Sequence, residues 1–235
     1  MDALELAADN AAHFWTLIGT ARGYDVRRHP GLLAVDGDER AGLRVLTLAA
    51  GLPQEGRAAL DALLPRPGRV VVEDAFGAVE LTARGMSSRQ MPVMIRLPGE
   101  PVGEPALPVR RVTTPDELRT AERLVVEGFA LEHFQPWTPG VVLPPVLLEG
   151  AELYLAHLDG EPAGACLVVE QDEAVGVYFV TTMPQFRSRG VGRALMHALL
   201  RRFDDRPVTL TASRLGRPLY ESLGFERIAD AAWWS

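Results

Sequence analysis

Apolar residues recur at spacings of three and four from the start of the chain. Leu4, Ala7, Ala8, Ala11, Ala12, Trp15 and Ile18 share one side of a helix predicted over residues 3–22. The period then changes. Leu32–Val35, Leu43–Leu48 and Arg69–Val72 read as short strands, with a helix between Pro53 and Leu64. Pro53 suits its first turn, where a missing N–H costs little. The run LPGEPVGEPALP, Leu97 to Pro108, carries four prolines and two glycines and supports neither period. It reads as a linker; a long surface loop inside one domain is the other reading.

Downstream, Val109–Val112 predicts a strand, Asp116–Phe129 an amphipathic helix and Gln135–Gly150 a proline-broken segment. Three strands follow closely, at Glu152–Leu158, Ala163–Glu170 and Val175–Thr181, joined through Asp159-Gly160 and Gln171-Asp172-Glu173. Such connections make an antiparallel meander. Val191, Ala194, Leu195, Ala198 and Leu199 then set one face of a helix and leave Arg193, His197 and Arg201 nearer solvent. The fold class is α+β with a mixed sheet. It divides into a smaller amino-terminal α/β half, residues 1–97, the linker at 98–108 and a second domain, residues 109–235.

Composition narrows the functional classes. The chain has 235 residues, 47% hydrophobic and 23% charged, with a formal net charge of −7. This is a globular balance, and it disfavours a protein whose task is to cover a nucleic-acid backbone. It leaves room for one basic pocket. The single cysteine, Cys166, cannot form an internal disulfide or a thiolate cage; it reads as a small core residue in a reducing compartment. Asp2, Glu5 and Asp9 stand where a signal peptide would need a basic leader, and no run approaches the roughly 18–20 apolar residues of a membrane span. The expectation is a cytoplasmic protein with neither membrane nor nucleic acid as partner. His13, His29, His133, His157 and His197 lack metal-site spacing, so no metal is expected, and no Gly-x-Ser-x-Gly elbow is present.

The candidate chemistry lies at the entrance to the helix at Val191. Arg187-Ser188-Arg189-Gly190-Val191-Gly192 places two glycines after a strand, where a ligand can approach the backbone. The free N–H groups of the first helical turn favour an anion. Turn glycines at helix starts also have purely structural causes. The run is neither a dinucleotide fingerprint, since the third glycine is missing, nor a P-loop, since no Gly-Lys-Ser/Thr follows.

This segment resembles the GCN5-related N-acetyltransferase (GNAT) superfamily, whose R/Q-x-x-G-x-G/A signature is matched by Arg187, Gly190 and Gly192, with the usual upstream proline at Pro184. A second match follows in family order: Val208 to Ser213 as the next strand, then PLYESLGF from Pro218 to Phe225. The resemblance covers about Val109 to Ser235. It implies an N-acetyltransferase that uses acetyl-CoA as co-substrate and acetylates a primary amine of a small molecule or protein by direct attack on the thioester. Val180, Thr181 and Thr182 would then form the strand beside the pantetheine, with an N–H near Thr182 polarising the thioester. The N–H groups of Ser188, Arg189, Gly190, Val191, Gly192 and Arg193 would hold the pyrophosphate. Ser213 stands where an asparagine often bonds the pantetheine, and Tyr220 where a phenol protonates the departing thiolate.

Other readings stay open. Tyr220 also suits simple packing beside Leu219 and Leu223. Val175 to Tyr178 lacks the carboxylate that many members carry there, which leaves Glu127, Glu132, His133 or water as the base and supports an alternative, a non-catalytic acyl-CoA-binding sensor or scaffold. Phe129, Phe134 and Trp137 suit either an acceptor pocket or a satellite core. Trp233-Trp234 has two destinations, the sheet or a second copy of the chain in a homodimer. Val79–Met86 followed by Met91–Arg96 resembles the end of a GNAT fold and suggests a degenerate, non-catalytic GNAT-like repeat in the first half.

Overall fold

The structure is a computed structural model that describes residues 2–64, 66–99 and 101–235. The first helix, α1 (Ala3–Ala21), opens with a capping box. The Asp2 side chain accepts from the Glu5 N–H at 2.8 Å, and the Glu5 side chain accepts from the Asp2 N–H at 2.9 Å. Strands β1 (Asp25–His29), β2 (Leu32–Asp36) and β3 (Leu43–Thr47) form an antiparallel meander. Helix α2 (Gln54–Leu63) then crosses to β4 (Val70–Asp74), which lies parallel to β3. Pro53 is the residue before the first turn rather than within it, and its carbonyl accepts from Arg57 N–H.

The buried Asp74 carboxylate collects the Thr47 hydroxyl and the N–H groups of Phe76, Ala78 and Val79, and this wraps the following chain into a loop. For that reason Val79–Met86 contributes only a 3-10 turn at Thr82–Arg84, and β5 begins at Ser88 and runs to Arg96. Residues 97–99 and 101–108 hold neither helix nor strand, and Val102 and Leu107 pack on the core of the second half.

The second half repeats the plan. After β6 (Val109–Arg111), α3 (Pro115–Gly128) starts at Thr114, which is boxed with Glu117 and has Pro115 in the first turn. Strands β7 (Glu152–Leu158), β8 (Glu161–Glu170) and β9 (Val175–Thr182) form a second antiparallel meander. Helix α4 (Val191–Arg202) crosses to β10 (Val208–Thr211), which is parallel to β9; α5 (Arg217–Glu221) and β11 (Glu226–Trp234) follow. Asp159 and Gly160, with φ of 54° and 84°, make the tight β7–β8 turn.

All eleven strands form one sheet in the order β1-β2-β3-β4-β11-β5-β10-β9-β8-β7-β6. Each half ends on a strand that lies inside the other half: β5 pairs with β10 and β11, and β11 pairs with β4 and β5. The sheet therefore runs unbroken through both halves about an antiparallel β5–β11 pair.

Alternation along the strands sorts the core into two layers. Leu32 and Ala34 of β2 face α2, and Leu33 and Val35 face α1. In the second half, Ala165, Leu167 and Val169 of β8 join the α1–α3 layer, while Cys166 and Val168 join the layer under α4. Helix α1 sits one position round from the face its sequence suggests: Phe14 is buried, Trp15 is half-buried, and Asn10 is buried among the alanines. Trp233 and Trp234 both pack on the sheet, Trp234 beneath α2 and Trp233 beside α1.

Candidate active site

Strands β9 and β10 pair only where Val175 and Gly176 meet Val208 and Thr209. Beyond that point β10 stays with β5 and β9 with β8, so the two strands diverge into a wedge open at the Thr182 end. Within the wedge β9 is bulged. Phe179 and Val180 stand opposite the single residue Cys166, and Phe179 has a φ of 53°. A bulge leaves one residue outside the ladder and bends the strand. Its backbone is free to meet a ligand two residues before Thr182, which is in register with Gly164. No glycine or proline marks this bulge, so the sequence carried no sign of it.

The chain leaves β9 through a 3-10 turn at Pro184–Phe186 and enters α4 by two left-handed residues, Ser188 (φ 60°) and Gly190 (φ 84°). This turn directs successive N–H groups outward. The N–H of Arg187 goes to Pro184 and that of Ala194 to Gly190. Among the described residues, none of the six N–H groups between them, Ser188 through Arg193, meets a backbone or side-chain acceptor. A Cβ at Gly190 would meet open space, and one at Gly192 would lie 3.2 Å from Leu219 Cδ2 and 3.7 Å from Thr182 Oγ1. The cradle thus adjoins both the wedge and α5. It is basic at its rim: Arg187 is exposed, Arg189 pairs with Asp159 at 2.8 Å, and Arg193 donates to Ser222 Oγ at 2.9 Å.

Tyr220 is buried in α5, with its ring 5.8 Å from that of Phe225. Burial raises its pKa well above the ordinary phenol value, and the neighbouring Cys166 raises it further, so the hydroxyl keeps its proton at neutral pH. Cys166, opposite the bulge, and Tyr220 belong to the same core cluster under α4. Ser213 accepts the Gly216 N–H with Oγ at 3.1 Å and so caps the turn into α5. Thr181 is buried, Thr182 half-buried, and Val180 packs on the α4 side. The wedge, the turn and Tyr220 form one contiguous site.

A second feature adjoins the bulge on the α1–α3 side. A cavity of about 100 Å³ between the two halves is lined by Phe179, Trp15, Phe134 and His133, and by Arg22, Arg44, Tyr24 and Arg69. Of the three side chains expected as bases, only His133 lines it; Glu127 and Glu132 are exposed. Burial lowers the His133 pKa, and Arg69, Arg44 and Arg22 lower it further, leaving a neutral imidazole at pH 7. Of the three loop aromatics, Phe134 forms part of the wall, Trp137 packs on the core under α3, and Phe129 lies edge-on to Phe179 at 6.1 Å.

The loop carrying these groups is held by Glu122. Its buried carboxylate accepts the N–H groups of Gly140, Val142 and Leu143 at 2.7, 2.7 and 2.9 Å. A glutamate at an apolar position of α3, between Leu118 and Val125, was the sequence sign of that role. Cys166 is buried, with its thiol pKa raised by desolvation. Among the described residues no cluster of histidine, cysteine or carboxylate side chains could hold a metal, and no helix is long and apolar enough to cross a membrane.

Comparison with known proteins agrees with this geometry. Residues 142–232 match the family model described as an acetyltransferase (GNAT) domain. No curated protein matches the chain. Among solved structures, a GCN5-related N-acetyltransferase from Kribbella flavida aligns over 95% of this chain and 94% of its own, with a TM-score of 0.62 at 18% identity. One from Sphaerobacter thermophilus aligns over 98% and 92%, with a TM-score of 0.56 at 16% identity. A conserved protein of unknown function from Staphylococcus epidermidis aligns over 90% and 93%, with a TM-score of 0.63 at 10% identity. These likenesses are of fold, and they run the full length of the chain. Residues 142–232 thus match a GNAT domain in the C-terminal half, and the whole chain has the fold of these full-length structures.

Proposed function

We propose that the protein is an acetyl-CoA-dependent N-acetyltransferase acting on a primary amine. The observation that carries this reading is the row of six unengaged N–H groups, Ser188 through Arg193, beside a wedge in the sheet. Unpaired donors at the positive end of a 12-residue helix suit a pyrophosphate, and the open wedge suits a thin, extended arm with amide groups of its own. Acetyl-CoA supplies an activated acetyl carbonyl: the amine nitrogen bonds to its carbon while the C–S bond breaks.

The residues of the chain divide the work. The free backbone at Phe179–Val180 offers a donor to the carbonyl oxygen, where negative charge develops as the nitrogen adds. The Tyr220 hydroxyl, held in its proton-bearing form, donates to the departing sulfur. An acceptor that arrives as ammonium gives one proton to water or to His133 before attack and a second as the amide forms; the sulfur takes up one, and one is released.

Thiol release from acetyl-CoA, measured with the full chain and a panel of amines, tests the reading. Turnover with at least one amine is expected, with kcat for Tyr220→Phe reduced by about 100-fold, a typical share for one positioned acid, and acetyl-CoA affinity unchanged. Tight acetyl-CoA binding with no turnover on any amine would instead favour an acyl-CoA sensor.

A further inference from the structure

A chain of net charge −7 lines the cavity between its halves with Arg22, Arg44 and Arg69 and, among the described residues, with no aspartate or glutamate. Each arginine is held differently. Arg22 gives Nε and Nη2 to one neutral acceptor, the Val142 carbonyl, at 2.9 and 2.6 Å, and among the described residues no carboxylate pairs with it. Arg44 stacks 3.9 Å from the centre of the Trp15 ring and pairs with Glu73. Arg69 is exposed at the mouth, and among the described residues nothing bonds its side chain.

Glu73 offsets Arg44, which leaves Arg22 and Arg69 as the excess positive charge around an aromatic-walled space, where like charges repel more strongly than in water. The mutual effect is visible on neighbouring groups: Arg69 acts against protonation of His133 and against the charge of Arg44. An anion entering the cavity would relieve this repulsion. A planar guanidinium with a free fork matches a carboxylate in two parallel hydrogen bonds. The same cavity ends on Phe179, whose backbone forms the bulge at the reaction centre.

We propose that the acceptor is an amino acid with an apolar side chain, its carboxylate held by Arg69 at the cavity mouth with Arg22 behind it and its amine directed past Phe179 to the bulge. This rests on the acetyl-transfer reading above. The apolar body packs on the aromatic walls, and the cavity volume of about 100 Å³ keeps it small. The cationic surroundings also work against an ammonium group and so favour the free amine that must attack. A polyamine or aminoglycoside, positively charged throughout, is repelled by the same field.

The test compares pairs that differ only at the carboxylate and adds a phosphorylated amine as a second anion. Thiol release is measured for valine, valinamide and O-phosphoethanolamine, and calorimetry compares isovalerate with its amide, all on the full chain with acetyl-CoA affinity recorded alongside. The expected result is at least about a tenfold preference for the carboxylate member of each pair, as one charge-assisted bond gives, with Arg69→Gln closing most of the gap. Equal or better use of valinamide, or preference for the phosphorylated amine, overturns the proposal. If acetyl-CoA binds but no amine is acetylated, the transfer reading fails by itself. Calorimetry then decides the cavity: tighter isovalerate supports a carboxylate site, and equal binding or none overturns it.

Discussion

Asn10 shows what a single buried amide can do on a helix made of alanines. Its Nδ2 donates to the carbonyls of Val169 and Ala174 at 3.2 and 3.4 Å, and its Oδ1 accepts from the Tyr178 hydroxyl at 2.7 Å. One side chain of the first half thereby fastens the β8–β9 turn of the second. The approach is close enough that a Cβ at Gly176 would lie 1.8 Å from Asn10 Oδ1, and the Tyr178 ring stacks on Phe14 at 3.8 Å. Replacing Asn10 by alanine leaves the buried hydroxyl without its acceptor, at an expected cost of about 2–4 kcal/mol in denaturant unfolding. In a Tyr178→Phe background the same replacement should cost about 1 kcal/mol less, because no hydroxyl is left unpaired. Strict additivity would show that the hydroxyl has another partner. The sequence hid this residue for a plain reason: a period-3.6 reading assigns polar side chains to the outside, and it therefore put Trp15 rather than Phe14 on the apolar side.

At the scale of elements, legibility followed locality. The β7–β8–β9 meander and α4 were readable because their signals are short-range: an Asp-Gly turn, alternating runs, and apolar residues at i, i+3 and i+4. Strand β1 escaped because Asp25–His29 is polar and mostly exposed, held only by its ladder to β2. The bulge at Phe179 escaped because the register of β9 against β8, not the residue type, creates it. The turn before α4 was legible through its glycines, and they are not equivalent. Gly190 adopts a φ of 84°, which costs other residues roughly 1–2 kcal/mol, whereas the backbone of Gly192 is ordinary and its nearest obstacle is a flexible leucine methyl. Gly190→Ala should lower stability by about 1 kcal/mol and weaken acetyl-CoA binding about tenfold by turning the N–H row, whereas Gly192→Ala should stay within about 0.5 kcal/mol of the parent. Calorimetric titration beside thermal unfolding separates the two; equal effects from both substitutions would refute the strained-turn account.

The whole molecule is organised by an exchange that no local signal reports. Read outward from its centre, the sheet has β4, β3, β2 and β1 on one side and β10, β9, β8, β7 and the edge strand β6 on the other. Each side is a meander followed by a parallel crossover. The repeat suspected from Val79–Arg96 is thus present as topology, but each half lends its last strand to its neighbour. The proline-rich stretch before β6 separates the halves along the chain, while β5 binds them in space. Without β5, β10 and β11 would each lose a hydrogen-bonding partner, and the core under α4 would lose Met94. Unpaired central strands expose both backbone donors and apolar faces, and such edges pair with other chains. Residues 98–235 alone should therefore aggregate or remain unfolded although they hold the whole GNAT match, and co-expression with residues 1–97 should restore a soluble complex. The intact chain should unfold in one transition, seen alike by tryptophan fluorescence and circular dichroism. A monomeric 98–235 fragment with its own cooperative melt would show that β5 is an accessory to the second half. Failure of the fragment with rescue by the first half would make the exchange the reason the two halves are a single folding unit, and the reason the sheet can keep an open wedge between β9 and β10: β10 is braced by β5 of the opposite half and β9 by β8.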